Sequence, residues 1–295
     1  MDQVFNDSLL CELNGFFSLA EKTQLSSNEI EGFFKKLDEF DLPFDEFICT
    51  LCQTRFWSSL EDGDFNFKEL CIALSHAVTQ YNLSLEVKPC FHGANHFRDV
   101  TFSLSLLASQ HHRIRQSLKS PLWQISDESY WLLLFCAIGH DFGHTGLINS
   151  FPHQLEINSV KLIGEFLQTR SLSNKQLTYL QDRVEYLVLS TDPRDFKKLS
   201  SLIKNDTIFQ TELDYLSFLL IESDLLASTL PRRGMLLGEK LRQEWSTNYP
   251  VEAKKVSTPE GRYQFLAHIE FLSPHAECLG IMTIHQKELN NFRLI

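Results

Sequence analysis

Apolar residues recur at helical spacing along most of the chain, and strand-like alternation is brief wherever it occurs. Segment 26–29 reads as a capping box, and the apolar residues that follow it share one helical face. Segment 130–139 is apolar on nearly every side, which predicts a central, buried helix. Further helices are predicted over 70–78, 95–107, 155–170, 174–190, 207–229 and 233–246. Two N-cap-proline pairs predict further helix starts, Thr258-Pro259 and, for the last helix, Ser273-Pro274.

Residues that form turns are scarce in this 295-residue chain, which has only 12 Gly and 9 Pro beside 24 Phe. With the helical periodicity, this scarcity predicts an all-α fold, a compact multi-helix bundle, and argues against an all-β fold. Segment 58–66 is the best candidate for an internal loop. We therefore expect an N-terminal helical cap over residues 1–63 and a catalytic region over 64–295, joined as one continuous domain.

The formal net charge of −11 argues against non-specific attraction to nucleic acid or an anionic membrane. A phosphate-ester substrate would then need local cations, and bound metal ions are the obvious source. The seven Cys are irregularly spaced, and no leader segment or membrane-spanning apolar run is evident. These features favour a soluble protein of a reducing intracellular compartment, the cytoplasm. They indicate no particular protein partner.

The dipeptide His140-Asp141 stands at the end of the most apolar predicted helix. Polar side chains at such a position cost several kcal/mol unless they find partners, and a divalent cation would satisfy both. Imidazole with carboxylate suits zinc, iron or manganese. One such dipeptide is a weak signal, since a helix-end histidine beside a capping aspartate is the plain structural alternative.

Three other features strengthen the metal interpretation. His92 and His96 are four residues apart, so they share a face if the segment is helical. His144 follows His140 by the same spacing, and Asp224 is an acid inside an apolar helix. Each alone could be a hydrogen-bonded core residue. Together they predict one central metal site.

Several segments resemble motifs of the class I cyclic nucleotide phosphodiesterases, members of the HD metallophosphohydrolases. FHGANHFRDV at 91–100 is similar to the family's YHNxxHAxDV. HDFGHTGLINSF at 140–151 is similar to HDxxHPGxxNxF, and LVLSTD at 187–192 to LVLxTD. Asp224 stands where the family has ADLSN, and Gln264 precedes Pro274 by ten residues, as the family's base-binding glutamine precedes its proline. The resemblance covers about residues 65–285.

The resemblance implies a role for each matching residue. The ligands of a tightly bound zinc would be His96, His140, Asp141 and Asp224. Asp141 would also bridge to a second ion, Mg²⁺ or Mn²⁺, and a hydroxide between the ions would attack phosphorus. His92 would be the general acid, and Gln264 would bind the base. The residues supporting the ligands and metal-bound waters would be His144, Glu156, Thr191 and Asp192.

The sequence also departs from the family pattern. Glu156 follows His140 by only 16 residues, so a segment that walls the substrate pocket is missing. The family's base-contacting asparagine and clamping phenylalanine fall at Ala227 and Ala267. Since an aromatic stack on a base contributes about 1–3 kcal/mol, its loss should weaken or broaden nucleotide recognition unless another aromatic residue substitutes.

Three functions remain open from the sequence. The first is hydrolysis of a 3′,5′-cyclic nucleotide, cAMP or cGMP, through an altered base pocket. The second is an HD phosphohydrolase acting on another nucleotide or phosphate ester, which a basic cluster beside the metal site would favour. The third is a non-catalytic binding module that keeps the fold, against which the presence of His92 argues.

Overall fold

Side-chain caps and prolines set where many of the helices begin. Ser26 accepts from the backbone N–H of Glu29, whose carboxylate bonds back to Ser26, and Ser173 starts a second capping box. Thr258 and Ser273 are N-caps followed by proline, as their sequences predict. These local signals explain why most of the helix starts could be predicted without tertiary information.

The computed structural model describes residues 2–117, 125–204 and 211–293. These residues form seventeen α-helices and one 3₁₀ turn at Gly63–Phe65, and they contain no strand, which confirms the all-α prediction. The helices are α1 Asp2–Ala20, α2 Ser27–Phe40, α3 Phe44–Leu51, α4 Arg55–Ser59, α5 Phe67–Ser84, α6 Ala94–Ala108, α7 His111–Ser117, α8 Asp127–Gly139, α9 Gln154–Gln168, α10 Asn174–Leu189, α11 Phe196–Lys204, α12 Glu212–Thr229, α13 Pro231–Trp245, α14 Pro250–Val256, α15 Pro259–His268, α16 Pro274–Leu279 and α17 Ile281–Arg293.

The structure differs from the predicted elements at a few places. The predicted start of helix 207–229 lies partly outside the described residues, and α12 begins at Glu212. The last predicted helix is two helices, because Gly280 adopts a left-handed φ of 91° and ends α16 before α17 begins. Helices α1, α3, α4, α7, α11 and α14 were not individually predicted. None of the described helices is apolar over a length that could cross a membrane.

Helix α8 forms the centre of the molecule. Every residue from Ser129 to Gly139 is buried, as its all-round apolar sequence predicts. It packs against α5, α6 and α12, and α6 and α12 also pack extensively against each other. The three helices that carry the predicted metal ligands are therefore neighbours in the core.

The N-terminal helices share this core. Phe33 of α2 stacks on Phe102 of α6 with ring centroids 5.1 Å apart. The indole N–H of Trp57 donates to the Ser105 hydroxyl at 2.9 Å, and both side chains are buried. We propose that residues 1–63 and 64–295 fold as one unit.

Helix α2 also holds the start of α13 through charged groups. The Glu31 carboxylate accepts from the backbone N–H groups of Arg232 and Arg233, at 2.5 and 2.9 Å. The buried Arg233 guanidinium donates to Asp99 at 2.7 Å and also contacts Asp38. The orientation of α13 thus depends on a helix 200 residues earlier in the chain.

Replacing Asp99 by Ala is expected to lower the free energy of unfolding by about 3 kcal/mol, since it leaves the buried Arg233 with only a half-buried partner. Urea unfolding measures this loss. Asp38→Ala, which removes the more exposed partner, should cost less. Equal midpoints for Asp99→Ala and the wild type would show that the buried pair adds no net stability.

Candidate metal centre

Three neighbouring helices bring the predicted ligands together. His96 lies in the first turn of α6, His140 caps the end of α8, and Asp224 lies within α12. The Nδ1 of His140 is 2.9 Å from the carbonyl of Ala137, one turn earlier, so Nδ1–H donates and Nε2 faces the cluster. Asp141 follows directly, where the helix has ended.

His96, His140 and Asp224 offer ligand atoms that all lie within 4.8 Å of one another, and Asp141 lies next to both histidines. The Nε2 atom of His96 lies 3.2 Å from both the Asp141 and Asp224 carboxylates. It lies 3.3 Å from Nε2 of His140, which is 3.4 Å from Asp141 and 3.7 Å from Asp224. Nitrogen and oxygen ligands about 2.0–2.2 Å from a tetrahedral zinc would be separated by roughly 3.4 Å. The residues present therefore fit a divalent cation.

The electrostatics of the cluster also suit a cation. Burial raises the pKa of Asp141, but the neighbouring histidines, His140 foremost, outweigh this and hold it well below its usual range. Burial lowers the pKa of His96, but hydrogen bonds to Asp141 and Asp224 outweigh this effect and raise the pKa to about 10. The carboxylates thus hold a positive charge here, and that charge is a proton when no metal ion competes.

Metal uptake is therefore expected to release about one proton at pH 8, because His96 must become neutral to bind an ion. Because the pKa of His96 is raised, the apparent metal affinity should increase as the pH rises, by up to tenfold per pH unit, until about pH 10. Calorimetric titration with Zn²⁺ in buffers of different ionisation enthalpy measures the released proton. Uptake without proton release would show that His96 is already neutral.

His92 lies beside this cluster and is held by an acid that the sequence did not reveal. Its Nδ1 is 2.5 Å from the Glu244 carboxylate of α13, which also accepts from the backbone N–H groups of Phe91 and His92. Burial raises the pKa of Glu244, but the hydrogen bond from His92 outweighs this and lowers it. An ionised Glu244 fixes the Nδ1–H tautomer and leaves Nε2 of His92 unbound.

His144 stacks on His92, with ring centroids 3.6 Å apart and planes 24° apart. Its Nδ1 accepts the backbone N–H of Gly146 at 3.0 Å, and burial lowers its pKa to about 3. The polar atoms of His92, His144 and Glu244 are close enough to hold an ion. Stacked rings direct their lone pairs along nearly parallel planes, so we interpret this group as hydrogen-bonded side chains.

A second polar group lies on the same cavity. The amide of Asn149 donates to Glu156 at 2.9 Å and accepts the backbone N–H of Leu155 at 2.8 Å. Asp192 accepts a hydrogen bond from the backbone N–H of His153 at 2.8 Å, and the Thr191 hydroxyl donates to the carbonyl of Val188. Burial raises the pKa of Glu156. The predicted supporting residues therefore line the cavity next to the ligands.

The cavity has a volume of about 660 Å³, and His92, His96, His140, Asp141 and Asp224 line it. Another wall of the cavity is formed by α13, α14, α15 and the segment after α15. The apolar residues of that wall include Met235, Trp245, Val256, Phe265 and Ile269.

The structure does not bring Gln264 into this cavity. Its side chain is exposed, and its amide donates to Glu260 at 2.6 Å. The α15 residues that line the cavity are Pro259, Gly261, Arg262, Phe265 and His268, and Gln264 is not among them. Of the two alanines at the family's base-contact positions, Ala227 is buried and Ala267 is exposed.

Replacing Gln264 by Ala is expected to change kcat/KM for any substrate by less than about twofold, as for other exposed side chains. The comparison is with the wild type at matched metal content. A tenfold rise in KM would instead show that α15 turns and brings this amide to the ligand.

Comparison with solved structures identifies the architecture. The phosphodiesterase domain of rhodopsin phosphodiesterase from Salpingoeca rosetta superposes with a TM-score of 0.57, over 84% of this chain and 94% of that domain. The chain has the fold of a phosphodiesterase catalytic domain. A second structure, the phosphodiesterase domain of the RhoPDE fusion protein from the same choanoflagellate, gives a TM-score of 0.55 over 84% and 97%. Both are 16% identical to this chain.

No protein-family model matches the sequence, and no curated protein matches it significantly. The fold implied by the motif resemblance is thus confirmed by three-dimensional similarity alone. The chemistry of the site depends on the side chains that this chain places in the cavity.

Proposed function

We propose that the protein hydrolyses a 3′,5′-cyclic nucleotide to the 5′-monophosphate with two divalent ions. One observation carries the proposal. Two histidines and one aspartate spaced for an ion, with Asp141 beside them, share a cavity with a histidine that Glu244 holds by one nitrogen. This arrangement provides a cation site and, beside it, a positioned proton donor.

The four ligands would hold the tight ion, for which zinc is proposed, and the second carboxylate oxygen of Asp141 would reach Mg²⁺ or Mn²⁺. When bound, two such ions supply a hydroxide nucleophile and neutralise the charge of the phosphodiester. Glu156 and Asn149, held against each other, would orient water at the second position.

His92 would deliver the proton that the departing ribose oxygen needs. Its Nδ1–H is bonded to Glu244, so the ring cannot rotate away, and Nε2–H is the group left to donate. Stacking on the neutral His144 holds the ring plane. Glu244 is thus a positioning residue that also stabilises His92 when it carries both protons.

The cavity also bears on the alternative phosphohydrolase function. Arg194 and Arg262 are the arginines among its described lining residues, and both are engaged. Arg194 donates to the carbonyl of Asn149 at 2.9 Å and lies 3.6 Å from Asp192. Arg262 donates to the carbonyls that end α12. Since polyphosphates need cationic partners, this wall favours a substrate with a single phosphate.

The test is product analysis of purified protein after chelation and defined re-addition of Zn²⁺ with Mg²⁺ or Mn²⁺. Cyclic mononucleotides, cyclic dinucleotides, linear nucleotides and bis-nitrophenyl phosphate are compared. We expect 5′-monophosphates from cyclic mononucleotides, and no turnover without metal. Preferred hydrolysis of linear triphosphates would support the alternative, and inertness towards every ester would support a binding module.

The proposed setting is intracellular, as is the proposed substrate. The chain has seven Cys, and Cys52, Cys71 and Cys136 are buried thiols. Reduced thiols in this number are typical of proteins that stay inside the cell.

A further inference from the structure

The wall of the cavity formed by α13–α15 presents apolar and aromatic surface to a ligand. Phe265 lies on the inner face of α15, and Met235 and Val256 lie on the facing helices. Gly238 adds open space, because a Cβ atom there would meet only the Val256 carbonyl, at 3.5 Å. Phe265 is therefore an aromatic residue in the cavity that can substitute for the one missing at Ala267.

Most polar side chains of this wall are committed to protein partners. The Thr258 hydroxyl donates to Lys255 and accepts from Gly261, as the N-cap of α15. The Ser257 hydroxyl donates to the Lys254 carbonyl. Both hydroxyls therefore use their only donor within the protein, and towards a ligand they can only accept.

Two charged side chains of the wall are also engaged. The Glu239 carboxylate is held by Arg242 through two hydrogen bonds, at 2.5 and 2.7 Å. The guanidinium of Arg262 donates to the carbonyls of Thr229 and Leu230 at 3.0 and 3.1 Å, and its Nε is inaccessible to solvent. The indole nitrogen of Trp245 is likewise inaccessible.

Ser228 differs from these groups. It lines the cavity, and its hydroxyl makes no hydrogen bond to any residue in the described part of the chain. It follows Asp224 by one turn of α12, roughly 6 Å along the helix. Arg262 also donates to the Ser228 carbonyl, which fixes the position of the residue. A hydroxyl can donate or accept, so it can pair with either kind of group on a nucleoside.

We infer, on the basis of the proposed function, that the enzyme is base-tolerant and hydrolyses purine and pyrimidine cyclic nucleotides alike. Stacking on an aromatic ring accepts every base, because each base has a π-face. Strong discrimination comes from buried polar groups that a wrong ligand leaves unpaired. With Gln264 outside the cavity, His268 exposed to solvent and Ser228 able to donate or accept, the described residues of this wall provide no such penalty.

The wild-type protein tests this inference through kcat/KM for cAMP, cGMP, cCMP and cUMP at fixed metal content. We expect all four values to lie within about tenfold of one another. In an apolar pocket, substrates that differ by one methylene or one hydroxyl group differ only weakly in kcat/KM. A preference of about 10³ or more for one base would overturn the inference and leave the proposed function intact. Turnover of none of the four would overturn both.

Two variants test the contacts. Phe265→Ala should lower kcat/KM for all four substrates by about 10- to 100-fold, as loss of base stacking does. Ser228→Ala should lower all four by about tenfold or less, mainly through KM. The control is Ser246→Ala, an exposed serine whose hydroxyl donates to the Gln243 carbonyl. Loss confined to one base, or none in either variant, would overturn the inference.

Gly238 provides an independent test by size. Gly238→Leu should lower turnover of the two purine substrates at least about tenfold more than that of the pyrimidines, because the side chain enters space next to Val256. Thermal unfolding checks that the helix is intact. Unchanged turnover of all four would place the base elsewhere and overturn the inference.

Discussion

Replacing Asp141 by Ala is expected to remove both metal ions and to lower turnover by about 10⁴-fold or more, equivalent to over 5 kcal/mol in the barrier. Asp141 lines the same cavity as the other proposed ligands and the Asn149–Glu156 pair. One carboxylate oxygen is within 3.4 Å of the ring nitrogens of His96 and His140. The other is free to reach a second ion. In the proposal, Asp141 is the only one of the four ligands that contacts both ions.

Elemental analysis of the purified variant measures the metal content directly. His96→Ala should mainly lose the tight ion, and Asp182→Ala, which removes an exposed acid of α10, should keep both. Full occupancy of both ions in Asp141→Ala would contradict the bridging role. Loss of the tight ion alone would mean that the second one binds through Glu156 and Asp192 instead.

The fold and the convergence of the four proposed ligands were predictable because their signals are local. Each ligand lies in or beside a strongly apolar helix, where a lone polar group is conspicuous. The helix starts at Ser26, Ser173 and Thr258 depend on residues within one turn. The convergence of α6, α8 and α12 then follows from burying three apolar surfaces together.

The second half of the site could not be predicted, because it depends on the orientation of whole helices. Glu244 is one acid among several charged residues of α13, and nothing nearby in the sequence marks it. Its contact with His92 exists because Glu31 and Asp38 fix the start of that helix. Similarly, the ten-residue spacing to Pro274 suggested Gln264, but the rotation of α15 turns Phe265 inward and Gln264 outward.

The effect of replacing His92 by Ala is expected to depend on the leaving group. Loss of a positioned proton donor typically costs about 10²–10⁴ in rate. Turnover of cyclic nucleotides should fall by that factor, because the ribose oxygen leaves as a poor alkoxide. Bis-nitrophenyl phosphate has a good leaving group that needs little protonation, so its turnover should fall far less. Metal content should stay unchanged, since the structure places His92 against Glu244 rather than within the four-ligand cluster.

Glu244→Gln separates the positioning role from the catalytic one. The two Glu244 oxygens divide these contacts, one accepting from Nδ1–H of His92 and the other from the backbone N–H groups. A glutamine amide has one oxygen and can keep only one of the two sets, and it carries no charge to stabilise His92 with both protons. Its kcat for cyclic nucleotides should fall with a changed pH profile, and its activity on bis-nitrophenyl phosphate should remain. If His92→Ala hydrolyses both substrates at wild-type rates, the histidine is a packed, hydrogen-bonded residue of the cavity wall. If it loses metal instead, His92 is a ligand, and the group it forms with His144 and Glu244 is an ion site after all.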